Sequence, residues 1–98
     1  MKHISILVPN EAVLASVFDP SYMFSAVNQF LLEGDRDHLF DVHLVGLTRE
    51  VRLNKGSFVI NTNKLIGEVD KTDLIIIPAL SGDLKSTLEM NKDFFPWI

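Results

Sequence analysis

The groups able to do covalent or metal chemistry are few in this chain and far apart in sequence. Histidine stands at His3, His38 and His43, with no His-x-x-x-His pair among them. A metal site needs several ligands on one face, so this spacing predicts strand and loop histidines with no shared role. Cysteine is absent, which excludes disulfides, thiolate metal sites and a cysteine nucleophile within these residues. Glu33, Asp35 and Asp37 surround Arg36, but oxygen-ligand loops need a defined spacing that is missing; a solvated charged turn is the reading. The five glycines form neither a dinucleotide fingerprint nor a phosphate loop. Ser16 and Ser81 have no neighbouring base, and no G-x-S-x-G elbow occurs. Phe94, Phe95 and Trp97 read as a core-directed helix face rather than a ligand wall. The residues therefore name no catalytic group, no metal and no cofactor.

Composition narrows the class. The 98 residues fit one domain, which buries only about 60–65% of its unfolded surface. A hydrophobic fraction of 47% with seven Phe argues for a folded core. Net charge is −4, and the nine Lys and Arg are scattered. A nucleic-acid surface shows a basic stripe, so these residues are not expected to touch DNA or RNA. The segment Ile4–Val8 is too short for a secretory h-region, and no run reaches the roughly 18–20 apolar residues of a membrane span. The expectation is a cytoplasmic protein with no membrane partner.

The elements that must position any site follow from periodicity. Ile4 to Val8, closed by Pro9-Asn10, reads as a strand buried on both faces. Asp19-Pro20 predicts a helix start, with Asp19 as N-cap and Pro20 at the first helical position. Met23, Phe24, Val27, Phe30 and Leu31 supply its apolar face, and Gly34 its left-handed C′ residue. A polar loop, 34–38, follows. Phe40 to Leu47 reads as a second strand. Glu50–Leu53 and Phe58–Ile60 form a hairpin about Asn54-Lys55-Gly56. Leu65, Ile66 and Val69 make a linker with one helical turn. Leu74–Ile77, closed by Pro78, reads as the central strand, and Ser81–Met90 as a surface loop or short helix. Asn91–Ile98 resembles the first turn of an amphipathic helix, so the chain reads as the front half of an α/β domain. This order implies right-handed crossovers and a parallel sheet: an α/β, flavodoxin-like fold with flanking helices and a small hairpin excursion. Ligands in such sheets bind beyond the carboxyl ends of the strands, at a switch point, which here means the loops 9–19 and 78–82. The open sheet edge and apolar terminus predict self-association.

Several segments together resemble a known family. They are Ile4-Ser5-Ile6-Leu7-Val8-Pro9, then Asp19-Pro20-Ser21-Tyr22-Met23-Phe24-Ser25-Ala26-Val27-Asn28, then Phe40–Gly46. The excursion Val51–Ile60, Thr72-Asp73-Leu74-Ile75-Ile76-Ile77-Pro78 and Pro96-Trp97-Ile98 complete the set. In order and spacing, over essentially the whole chain, they resemble the N-terminal half of the ThiJ/PfpI superfamily, the class I glutamine amidotransferase-like fold. Within it they are most similar to the subgroup fused to AraC-type DNA-binding domains, where the second segment is Gly-Pro-x-x-x-Phe-x-x-Ala-x.

The resemblance implies a ligand-sensing and dimerising domain of a transcriptional regulator. It implies a homo-oligomer, a small-molecule effector bound near Ser16, Pro20, Leu80 and Ser81, and DNA contacted only through a C-terminal domain outside residues 1–98. Enzymes of the superfamily carry a cysteine on an elbow, which would lie past Ile98. They also carry an acid four positions before the helix proline, where this chain has Ser16, with Glu11 nearby. A hydroxyl cannot supply that charge, so the resemblance leans away from catalysis. Pro78-Ala79-Leu80 also replaces the usual Pro-Gly. The alternative is a piece of a ThiJ/PfpI-type enzyme, an amidase, isomerase or stress-related hydrolase.

Overall fold

In the computed structural model, residues 1–37 and 39–98 are described; the expectation for His38 lies outside them. The first strand, β1 (Lys2–Val8), holds the molecule together. It pairs in parallel with β2 (Phe40–Gly46) along its whole length and with β6 (Leu74–Ile76) on its other side. A two-residue strand, β5 (Lys64–Leu65), continues past β2, giving the order β5-β2-β1-β6. The strands β3 (Glu50–Leu53) and β4 (Phe58–Asn61) form a separate antiparallel hairpin. The architecture is thus α/β, a parallel four-stranded sheet flanked by helices with a small hairpin excursion.

The sheet divides the core in two because strand residues alternate faces. On one face Ile4, Ile6 and Val8 pack against Ala12, Val17 and the hairpin residues Val51, Leu53 and Ile60. On the other, Leu7 and Val45 meet Phe94, with Ile66, Val69, Ile75 and Trp97 around them. Residues 4–8 are all at most 3% exposed, as the uninterrupted apolar reading of this strand requires. Gly46 allows a close approach at the end of β2, where a Cβ would meet the Thr62 methyl at 2.7 Å.

The helix α1 (Leu14–Glu33) starts earlier than Asp19-Pro20 predicts, and Pro20 lies inside it. Proline there withholds the bond that the Ser16 carbonyl would accept. Burial outweighs that loss: Val17 is fully buried and Leu14 packs on the same core. Val13, not Asp19, occupies the N-cap position, and its carbonyl accepts the Ser16 N–H at 2.9 Å. The predicted apolar face is also corrected. Phe24 packs edge-on against Phe40, centroids 4.8 Å apart, whereas Met23, Val27 and Phe30 are exposed. At the C-terminus Gly34 is the cap with φ −92°, and the left-handed residue is Asp35 at φ 58°. Asp35 and Arg36 donate to the carbonyls of Leu32 and Leu31, the double bond of a Schellman end.

β6, expected at the centre of the sheet, is an edge strand. Among the described residues it pairs with β1 alone, and Leu74 and Ile77 are 46% and 58% exposed. Its start is fixed by Asp73, which donates its N–H to the His3 carbonyl at 2.7 Å and accepts the His3 N–H on its carboxylate at 2.8 Å. The terminal segment forms a single-turn 3₁₀ helix at Lys92–Phe94 rather than an α-helical turn. Phe94 is buried in the second core while Phe95 and Ile98 stay exposed. The short helix α2 (Leu84–Met90) is capped by Asp83, which accepts the Ser86 N–H.

The bond from His3 holds the Asp73 carboxyl below the usual carboxylate range, outweighing the opposing desolvation, with Lys71 and Lys2 adding to the lowering. A carboxyl whose folded value is depressed adds stability above its unfolded value, about 3.9, and loses it as pH falls through the lower folded value. Asp73→Asn should therefore flatten the acid limb of the urea-midpoint profile below about pH 4. A variant whose acid limb parallels the parent's would remove Asp73 from the account.

Candidate functional site

β1 connects through α1 to β2 on one side while β6 pairs on its other side, so the strand order reverses between β1 and β6 and their carboxyl ends form the switch point of the sheet. Here the two loops are stitched into a short ladder. Val13 N–H donates to the Ala79 carbonyl at 2.8 Å, Ser81 N–H to the Glu11 carbonyl at 2.8 Å, and Ala12 bridges Leu80 antiparallel. The Ser81 hydroxyl adds a second bond to the Glu11 carbonyl at 3.1 Å. Glu11 takes a left-handed φ of 66° to make this turn, unfavourable for an L-residue with a Cβ. Its carboxylate lies over Gly82, itself at φ +82°, within 3.8 Å of where a Cβ would stand.

Asn91 locks the ladder from below. Its side-chain oxygen accepts the Asn10 N–H at 2.7 Å, and its amide donates to the Asn10 carbonyl at 2.9 Å and the Thr87 carbonyl at 2.8 Å. Thr87 in turn donates its hydroxyl to the Ser81 carbonyl at 3.1 Å. Both residues are at most 3% exposed, so each polar group had to find a partner.

The four residues expected around a ligand do not share one cavity. Ser81 lines a cleft of about 250 Å³ together with Ala12, Val13, Leu14 and the hairpin residues Leu53, Asn54 and Phe58. Pro20 lines a wholly apolar cleft of about 450 Å³ between α1 and the β6 edge, with Met23, Phe24, Val27, Phe40 and Ile76. Leu80 lines a third, smaller apolar pocket with Ile77, Leu88 and Phe94. Ser16 is half-exposed in the first turn of α1 and borders none of these three. Sequence reasoning missed Asn10 and Asn91, which are joined across 81 positions, and missed that the hairpin turn it located borders a cleft at this end of the sheet. Asn10, beside Pro9 at a strand end, and the turn residues Asn54-Lys55-Gly56 gave the available local signals.

The histidine expectation is corrected in part. The parallel register sets His3 opposite Asp41 and Ser5 opposite His43, so residues 38 positions apart in sequence become neighbours. His3 Nδ1 lies 3.3 Å from one Asp41 oxygen and His43 Nε2 3.2 Å from the other. Ser5, buried beside them, donates to the Thr72 hydroxyl at 2.9 Å. This trio sits toward the amino ends of the strands, away from the switch point. Among the described residues no group of three His, Cys, Asp or Glu is arranged to hold a metal ion. At the switch point the described residues bring together the Ser81 hydroxyl, the Glu11 carboxylate and the Asn91 side-chain amide.

No known family profile matches the sequence, and no curated protein is similar enough to match. Solved structures do match. One is assigned as a transcriptional regulator from Vibrio parahaemolyticus, at TM-score 0.75 and 18% identity, over 98% of this chain and 48% of the other. Oxidized DJ-1 from Toxoplasma gondii matches at TM-score 0.56 and 18% identity, over 96% and 50%. An AraC family transcriptional regulator from Pseudomonas putida matches at TM-score 0.55 and 11% identity, over 99% and 52%. The fold is therefore the one that DJ-1/ThiJ proteins share with these regulators, and the chain spans about half the length of each structure.

Because the buried Asn91 side chain makes three hydrogen bonds, Asn91→Ala should cost about 2–4 kcal/mol in urea unfolding, as partners are left unpaired. A loss under about 0.5 kcal/mol, the level of an ordinary surface change, would show that the ladder does not depend on it.

Proposed function

We propose that residues 1–98 are the N-terminal part of a ligand-sensing and dimerising domain of an AraC-type transcriptional regulator, without catalysis of its own. The observation that carries this reading is the likeness to two regulator structures across almost the entire chain, at a sheet that stops with an apolar edge. In the flavodoxin-like order 2-1-3-4-5, β2-β1-β6 supplies the first three places. The exposed Leu74 and Ile77 and the apolar cleft along α1 are then surfaces for a further strand and helix. An effector at the switch point shifts the population of two arrangements, and a C-terminal domain contacts DNA. No helix among the described residues is long and apolar enough to cross a membrane, which accords with a cytoplasmic regulator.

Dimerisation is assigned to α1. Tyr22 and Phe30, 77% and 75% exposed, bracket Ser25 and Ala26 on one stripe of the helix. Small residues between two aromatics let a second copy approach across a twofold axis, each Tyr22 set on the partner's Phe30, the self-complementary pattern of an isologous contact. A second reading, a fragment of a ThiJ/PfpI-type enzyme, draws on the DJ-1 likeness and on Glu11, which could supply the acid missing at Ser16.

Reading the coding sequence past Ile98 separates these. A strand-turn-helix followed by paired helix-turn-helix units supports the regulator; one that ends after an elbow cysteine supports the enzyme. Sedimentation should show a dimer that becomes monomeric in a Tyr22→Lys, Phe30→Lys double variant with unchanged circular dichroism. A parent chain that stays monomeric at all concentrations would remove α1 as the interface.

A further inference from the structure

We propose that the cleft between the hairpin turn and the loop after β1 binds a small, uncharged, largely apolar molecule, and that Asn54 recognises its one hydrogen-bonding group. This rests on the reading of the chain as a sensing domain and moves the site from the residues around Pro20 to the hairpin side of Ser81. The register of the hairpin sets Leu53 opposite Phe58 and Val51 opposite Ile60, so all four side chains belong to its inward face. Val51, Leu53 and Ile60 are 2–3% exposed, yet Phe58 is 48% exposed. The Phe58 ring is the member of that face which borders the cleft instead of the core.

The turn that carries Asn54 has a defined shape. Asn54 and Lys55 have φ of 53° and 55°, followed by Gly56 at 86°, the positive-φ geometry of a hairpin turn that asparagine and glycine favour. It is fixed by bonds from Gly56 N–H to the Leu53 carbonyl and from Ser57 N–H to the Asn54 carbonyl, 3.1 and 3.0 Å. Glu11, next to the lining residue Ala12, is likewise left-handed, and its carbonyl anchors Ser81, which also lines the cleft.

The lining sets the ligand class. Ala12, Val13, Leu14, Leu53 and Phe58 are apolar, and among the described residues no charged side chain lines the cleft, so an ion would enter without a counter-charge. Asn54 brings a carboxamide that both donates and accepts. The Ser81 hydroxyl gives its proton to the Glu11 carbonyl, which leaves it as an acceptor. A few polar groups in an apolar wall is the usual composition of a small-molecule site. The volume, about 250 Å³, holds about eight water-sized groups. The α1–β6 cleft is larger, but among the described residues no polar side chain lines it to orient a ligand.

The test titrates the ¹⁵N-labelled chain with benzamide, and with toluene as the match lacking the amide. Saturable shifts should centre on Val13, Leu14, Asn54, Phe58 and Ser81. Asn54→Gly keeps the left-handed turn and removes the carboxamide; it should weaken benzamide about tenfold and leave toluene within about twofold. Shifts centred on Met23 and Val27, no saturable shift, or equal benzamide affinity in Asn54→Gly would each overturn the proposal. Any of these would leave the regulator reading standing, since that is decided by the sequence past Ile98.

Discussion

Everything in this structure is arranged around the double parallel pairing of β1. Five consecutive residues of that strand are buried on both faces, and both of its edges are bonded. Both cores are built on it, Ile4, Ile6 and Val8 on one face and Leu7 on the other. Burial of such a residue is worth about 1.5–3 kcal/mol, so a strand with four of them outweighs any local preference nearby. That is why α1 runs through Pro20. The helix must bring Val17 onto β1, and the lost bond at Ser16 is the smaller term.

The same strand delivers the switch point. Because β2 and β6 flank it on opposite sides, the loops after β1 and β6 leave a gap at the carboxyl end that neither a helix nor a hairpin fills directly. The chain closes it with backbone bonds between Glu11–Val13 and Ala79–Ser81 and then secures them with buried Asn91 and Thr87. The cost appears as left-handed geometry at Glu11. Function in α/β sheets collects at this place for a geometric reason: it is where backbone polar groups and side chains from separate elements converge.

Much of this was legible in the sequence, and the exceptions share a cause. The strand at Ile4–Val8, the hairpin about Asn54-Lys55-Gly56 and the α/β class follow from local apolar runs and turn residues, and the structure has them. The helix start was misplaced because Asp19-Pro20 is a strong local signal while the burial of Val17 is a tertiary one. Gly34 was expected to be left-handed, but Asp35 takes that role, since an aspartate enters the region more readily than most residues with a Cβ. Leu74–Ile77 reads as central from its composition; its place at the edge depends on pairing partners that composition does not encode. The meeting of His3 and His43 at Asp41 likewise depends on register. Of the expected ligand residues, Ser81 could be placed from the switch-point rule, whereas Asn91 and the hairpin wall come from contacts too distant in sequence to leave a pattern.

Amide hydrogen exchange on the chain tests the central claim, that β1 is paired along both of its edges and β6 is an open edge. The amides of Ile6 and Leu7 should exchange only through global unfolding. Those β6 amides turned away from β1 should exchange orders of magnitude faster. Equal, slow exchange across β6 would contradict the account, because it would mean that the edge is already covered.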